Sequence, residues 1–258
     1  MEGMLQHFRK DEQPFIERVN GWVTEVEDRY TPKLTGFLDP RQRYIVRAIA
    51  GSGDFILLEF GGLPGAERQR MIIAPSYYEA QPGDEEISVM EIRYPSKFIE
   101  IGHRDVLGSL TGLGIDRSRF GDIRTGDGVV QFAADASLTD YLIANLQAVG
   151  KAKVRIAEVR SQEEFLPLAE QYQEESLTVS SLRLDTVIAG ALNLSRQKSA
   201  MLIQSGKVKV NHAVRESVSY ELSDSDLLSV RGHGRIRIEE IGGRTKKERI
   251  RLVIGKLI

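Results

Sequence analysis

Apolar residues in PFIERVNGWVTEVEDRY fall at Ile16, Val19, Val23 and Val26, with Trp22 beside them, and that spacing predicts a helix. A second helix is marked at both ends. Asp39 stands at the N-cap, Pro40 at the first helical position, and Gly51 closes an apolar stripe of Ile45, Val46 and Ile49. DFILLEFGG and RQRMIIAP then read as two buried strands joined by a Gly/Pro loop. Residues 1–80 therefore predict a small α/β module, with Arg41, Arg43 and Arg47 on a solvated helix face.

Residues 81–160 carry a different order of patterns. ISVMEIRYP is a strand, HRDVLGSLTGLG a helix closed by glycine, and FGDIRTGDGVVQFAAD two strands around a Gly-Asp-Gly turn. SLTDYLIANLQAVG predicts a helix capped by Ser137 and stopped by Gly150, with Tyr141, Leu142, Ala144, Leu146 and Val149 turned inward; KAKVRIAEV is a last strand. The order βαββαβ is the split-βαβ arrangement of ferredoxin-like and RNA-recognition folds, which licenses no function by itself. Residues 161–180, acidic and Gln-rich, read as a connector with one short helix and a strand near Leu177 to Val179.

The remaining segment, 181–258, opens with Leu184, Val187, Ile188, Ala191 and Leu192 at helical spacing. Asp185 lies in the first turn, where a carboxylate suits the positive end of the helix dipole. NLS breaks the pattern, Ser195 caps a second helix, and Gly206 ends it. In KVKVN, Val208 and Val210 alternate with Lys207 and Lys209, so the lysines share one strand face. Asn211 and His212 form a turn before AVRESV returns as a strand.

Composition narrows the class. The 258 residues include no cysteine, which excludes disulfides and thiolate metal ligands, and no apolar run approaches a membrane span. The N-terminus lacks the pattern of a signal peptide, and a cytoplasmic location fits. His7, His103, His212 and His233 are too scattered for a metal site, and no cofactor is expected. The formal net charge of −2 hides an asymmetry: residues 181–258 hold 15 Lys and Arg against 8 Asp and Glu, or +7, leaving −9 on the rest. A basic module on an acidic body has the electrostatics of a nucleic-acid reader. Arg196 and Lys198 crowd a helix N-terminus, where cations are unfavourable unless an anion arrives, and a phosphate would resolve that conflict. Arg244, Lys246, Lys247 and Arg249 sit beside two glycines in GGRTKKER, a flexible cationic loop suited to phosphate.

RLDTVIAGALNLSRQKSAMLIQSGKVKVN, followed by LLSVRGHGR, closely resembles the S4 RNA-binding domain family. The resemblance implies the αL RNA-binding motif and contact with structured RNA, chiefly ribosomal and transfer RNA. By position it implies contacts from Arg183, Ser195, Arg196, Lys198, Lys207, Lys209 and Asn211; His212, Arg215, Arg244, Lys246 and Lys247 join them as candidates that the family positions do not supply. The chain departs from many members at His212, where glycine follows asparagine, and at Ser225-Asp226, where they have Gly-Asp; both departures bear on turn shape. With FLDPRQ and GHRDVLGSLTGLGIDRSRFGDI upstream, the whole chain resembles the YlmH family of ribosome-associated S4 proteins. That implies an α+β architecture of three modules and association with the ribosome, at a large subunit carrying peptidyl-tRNA, in rescue or quality control of stalled translation. Such proteins also carry a cell-division label, for which the residues offer no mechanism. Oligomeric state is left open.

GHRDVLGSLTGLG also resembles, faintly, the elements around the catalytic aspartate of pseudouridine synthases, which would make Asp105 a nucleophile. The aspartate is offset from the arginine and no catalytic sheet of adequate size follows. Asp105 reads better as a helix-start residue, leaving His103, Arg104 and Arg117 as secondary RNA contacts. Phe132 lies on a strand without a basic-aromatic signature and is assigned to the core.

Overall fold

A computed structural model describes residues 8–51, 53–126, 128–168 and 172–257, apart from the side chain of Asp11. Asp127 of the Gly-Asp-Gly turn and His7 lie outside the described residues. The chain divides into two compact units, Met1–Ala169 and Glu170–Ile258.

The first unit begins with helix α1 (Gln13–Arg29), strand β1 (Lys33–Leu34), helix α2 (Pro40–Ala50) and strands β2 (Phe55–Phe60) and β3 (Arg70–Pro75). The strands form an antiparallel sheet in the order β1-β3-β2, one strand more than the pattern predicts. Asp39 caps α2 reciprocally: its carboxylate accepts from Gln42 N at 2.8 Å, and Gln42 Oε1 accepts from Asp39 N at 3.0 Å. Ile16, Val19 and Val26 of α1 pack with Ile45 and Val46 of α2. Of the three α2 arginines Arg47 is exposed, as expected, but Arg41 and Arg43 are not. Arg41 is buried and donates to Glu12 at 2.8 Å, while Arg43 and Arg47 both bind Glu59.

Next come β4 (Ile87–Arg93), α3 (His103–Gly112), β5 (Phe120–Thr125), β6 (Val129–Asp135), α4 (Thr139–Asn145), a short ribbon β7 (Ala148–Val149) and β8 (Ala152–Lys153), and β9 (Arg155–Val159). The antiparallel order β5-β6-β4-β9 is that of the split-βαβ fold. Val106 and Leu110 of α3 and Leu142 of α4 pack on Met90, Ile92 and Phe132; Phe132 is fully buried, as its strand pattern predicts. Helix α4 is shorter than expected. It ends at Asn145, and Gly150, at φ 58, turns the β7–β8 ribbon instead of stopping a helix. Ser137 does not cap α4, which starts after Leu138 without a side-chain cap; Asp135 caps the 3-10 turn Ala136–Leu138 just before it, accepting from Ser137 N at 3.1 Å. Leu142, Leu146 and Val149 are buried, but Tyr141 and Ala144 are exposed.

The opposite face of this sheet is closed as well. Leu63 and Phe165 pack on Val89 and Val159. Gln131, only 1% exposed, donates to the Glu164 carbonyl and accepts from Leu166 N, both within 2.9 Å. Arg124 donates to the carbonyl of Leu166 at 2.7 Å and to that of Pro64. Residues 161–168 and the loop after β2 thus lie where an RNA-recognition sheet would present itself to a base.

The second unit is a six-stranded antiparallel sheet in the order β10-β15-β14-β13-β11-β12. Its strands are β10 (Tyr172–Val179), β11 (Val208–Val210), β12 (Ala213–Val214), β13 (Leu227–Val230), β14 (Gly234–Arg244) and β15 (Ile250–Leu257). Strand β10 starts earlier than the strand expected near Leu177, because all eight of its residues pair with β15. Helices α5 (Leu184–Leu192) and α6 (Arg196–Gln204) cover one face. Leu184, Val187, Ile188 and Ala191 of α5 and Ile203 of α6 bury against Val208, Val210, Ile236, Ile238, Leu252 and Ile254. Each such large aliphatic side chain contributes about 1.5–3 kcal/mol when fully buried. No helix among the described residues is long and apolar enough to cross a membrane.

Candidate nucleic-acid interface

Two guanidinium groups and one carboxylate join the starts of α5 and α6. Arg183 occupies the N-cap position of α5, and Asp185, in the first turn, is only 4% exposed. Asp185 Oδ1 accepts from Arg183 Nε at 3.1 Å, and Oδ2 accepts from Arg196 Nη2 at 2.5 Å. Burial would raise the Asp185 pKa, but the hydrogen bonds from Arg183 and Arg196 outweigh it and hold the carboxyl below its ordinary value. Asp185 therefore does more than favour the dipole of its own helix; it reaches across to α6. Ser195 accepts from Lys198 N at 3.2 Å and caps α6, leaving the Lys198 and Arg196 side chains exposed. Arg196 spends one nitrogen on Asp185 and keeps the outer part of its fork, 60% exposed as a side chain, in solvent.

Lys207 and Lys209 are elsewhere. Val208 and Val210 point beneath the helices, so Lys209 lies on the outer face of the sheet, in register with Ser229 and, through it, Arg235. Lys207 is exposed, and its carbonyl accepts from Arg231 N at 2.9 Å. The cations expected to form one landing surface thus fall into two groups, one at the helix N-termini and one on the outer sheet face. Strand alternation separates them: residues flanking a buried valine must emerge on the side away from the helices.

The β11–β12 turn is tight, with Asn211 at φ 49 and His212 at φ 68. A two-residue hairpin turn with both φ positive is type I′, so histidine holds the conformation that glycine usually supplies. Asn211 is a framework residue: it donates to Asp226 Oδ1 at 2.8 Å and accepts from Leu227 N at 2.9 Å. Asp226 is wholly buried and also accepts from Ser223 N at 2.9 Å, while Ser225 takes φ 62 beside it. Arg215 is half-buried, 4.6 Å from the centre of the Tyr220 ring. The GGRTKKER segment is a formed hairpin turn, not a slack loop. Thr245 N donates to the Arg249 carbonyl at 2.7 Å, and Arg249 fastens the turn to Thr178 of β10 at 3.0 Å. Arg244 reaches Glu248 at 3.4 Å, whereas Lys246 and Lys247 are exposed at the tip.

In the central module His103 and Arg104 are exposed in the first turn of α3. Asp105 accepts from Gly102 N at 3.0 Å, the work of a helix-start residue. Arg117 is turned inward. It stacks 4.4 Å from the Phe120 ring centre, donates to the Gly121 carbonyl at 3.1 Å, and burial brings its pKa down to about 9. It is engaged in holding β5 instead of presenting its charge to solvent. Among the described residues no group of three or more His, Asp or Glu is arranged to hold a metal ion.

A helix pair on an antiparallel sheet, with cations gathered at the helix starts, defines an RNA-binding protein of the S4 type. Residues 182–228 match the family model described as "S4 domain", residues 81–163 that described as "Putative RNA-binding domain in YlmH", and residues 11–78 "YlmH, N-terminal". A relative named "Ribosome-associated protein quality control protein P2", from Bacillus subtilis (strain 168), is 40% identical over 256 residues, 99% of each chain. A solved structure titled "Cell division protein ylmH from Streptococcus pneumoniae" is similar over 62% of this chain and 98% of its own, with a TM-score of 0.55 and 29% identity. The chain belongs to the YlmH family.

Proposed function

We propose that this protein is a non-catalytic RNA-binding factor of the ribosome, acting in rescue or quality control of stalled translation at a large subunit that carries peptidyl-tRNA. Ribosome association is supported by the name of the full-length relative. The observation that carries the RNA contact is the Asp185 clasp: it fixes Arg183 and Arg196 beside a capped helix N-terminus while Lys198 projects into solvent. A phosphate there meets fixed donors, a favourable dipole and unneutralised cationic charge at once. Lys207 and Lys209, on the outer sheet face, and Lys246 and Lys247, at the hairpin tip, meet phosphates outside this contact. Affinity comes from phosphate neutralisation, and specificity from RNA shape.

The test is Arg196→Ala/Lys198→Ala, with RNA binding measured across a salt series. Loss of two phosphate contacts lowers the slope of log K against log salt by about 1.4–1.8. The protein should stay folded, with a loss of at most about 1.5–3 kcal/mol for one hydrogen bond to the buried Asp185 carboxylate, because Arg183 still holds that carboxylate. An unchanged slope overturns this interface.

A further inference from the structure

We infer that the central module also binds RNA, through one end of the fold instead of its sheet, with Phe98 stacking on an unpaired base. The inference rests on the RNA-binding reading above and assigns that activity a second site. In an RNA-recognition sheet, bases stack on the face away from the helices. Here that face is occupied: Val89 packs with Leu63 and Phe165, Gln131 is bonded to Glu164 and Leu166, and Glu91 and Ala133 beside them are at least nine-tenths buried. RNA bound by this module would therefore engage it elsewhere.

The end of the module where β4 runs into α3 offers such a place. Phe98, in the loop between them, is 86% exposed and has no ring partner among the described residues. Lys97 adjoins it in the chain, and Arg104 follows in the first turn of α3. Arg155 is the register partner of Arg93, the last residue of β4, so it emerges at the same end of the sheet. A cleft of about 460 Å³ lined by Arg104 and Gly150 brings the β7–β8 ribbon, with Lys151 and Lys153, alongside α3. None of Lys97, Arg104, Lys151, Lys153 and Arg155 has an ion-pair partner among the described residues, and all are exposed. Of the two nearest acids in sequence, Asp105 caps α3 and Glu100 is exposed in the loop. An aromatic ring open to solvent, with a cation next to it in the chain and others at the same end of the module, suits single-stranded nucleic acid: the ring takes a base face and the cations take the flanking phosphates.

The experiment uses the full-length protein, a single-stranded RNA 12-mer carrying one 2-aminopurine, and a blunt RNA duplex of equal length. Phe98→Ala is expected to weaken 12-mer binding about tenfold and abolish 2-aminopurine quenching. Duplex binding and the thermal midpoint should not change, and Phe98→Trp should retain quenching. Lys97→Ala/Arg104→Ala/Arg155→Ala should reduce the 12-mer salt slope by about 2. Quenching that is absent in the wild type, or persists undiminished in Phe98→Ala, overturns the inference. So does a Phe98→Ala variant that loses ribosome co-sedimentation with 12-mer binding intact, since that assigns the loop to a protein. Arg196→Ala/Lys198→Ala, read on the duplex, reports the S4 site separately, so either site can fail without the other.

Discussion

Replacing Asp185 with Asn removes one negative charge from between two arginines while keeping the shape of the side chain. The native carboxylate, 6% exposed as a side chain, accepts from Arg183 Nε at 3.1 Å, Arg183 Nη2 at 3.4 Å and Arg196 Nη2 at 2.5 Å. A buried hydrogen bond to a charged group contributes about 1.5–3 kcal/mol net. Arg183 and Arg196 are 36% and 60% exposed as side chains, so on losing their partner they turn to water and recover most of their share. The expected loss is about 1–3 kcal/mol, or roughly 5–15 °C in the melting of a unit this size. The pH dependence follows from the direction of the shift. A carboxylate whose folded pKa is depressed stabilises fully above its unfolded value and loses that contribution as pH falls through the folded value. The gap between wild type and variant should therefore be constant above about pH 5 and close in acid. Thermal melts followed by circular dichroism at pH 7, 5 and 3 measure it. A gap at pH 7 smaller than about 0.5 kcal/mol, within the scatter of neutral surface substitutions, would refute the clasp; so would a gap that persists undiminished in acid.

Three further outcomes are expected. Asp226→Ala strands the Ser223 N–H and the Asn211 amide and should cost about 3 kcal/mol in urea unfolding, while native protein that remains keeps its salt slope for RNA. Ser225→Gly relieves a left-handed residue whose backbone N–H already bonds the Ile238 carbonyl, and should raise stability by about 0.5–1 kcal/mol in the same assay. RNA incubated with the protein should show no new nucleoside by mass spectrometry; one that appears and is lost in Asp105→Asn would establish catalysis, whereas a helix-start role leaves Asn an oxygen to accept from Gly102 N and predicts a stability change within about 0.5 kcal/mol.

Much of the fold was legible because its signals are local. The Asp39-Pro40 helix start and the stripe from Leu184 to Ala191 each lie within a few residues, and the structure places them as the pattern predicts. Failures came where a distant partner overrode a local preference. The α4 pattern continues past Asn145, yet the chain leaves the helix there to make the β7–β8 ribbon. Arg41 and Arg43 look like surface residues until Glu12 and Glu59 arrive from other elements. Asn211 reads from the sequence as an RNA contact, and folding also gives its amide an internal partner, Asp226, fifteen residues on.

Read alone, the sequence determined which residue types were available, the helix and strand periods, and the S4 hallmarks, because these depend on neighbours a few positions apart. Only the tertiary structure decided which charges remain open to a phosphate. It paired Arg183 and Arg196 through Asp185, placed Lys209 on the sheet face away from the helices, and closed the central sheet beneath residues 161–168. The reason is electrostatic and steric: whether a cation is free, shared or covered depends on groups brought beside it by folding, and sequence separation carries no record of those distances.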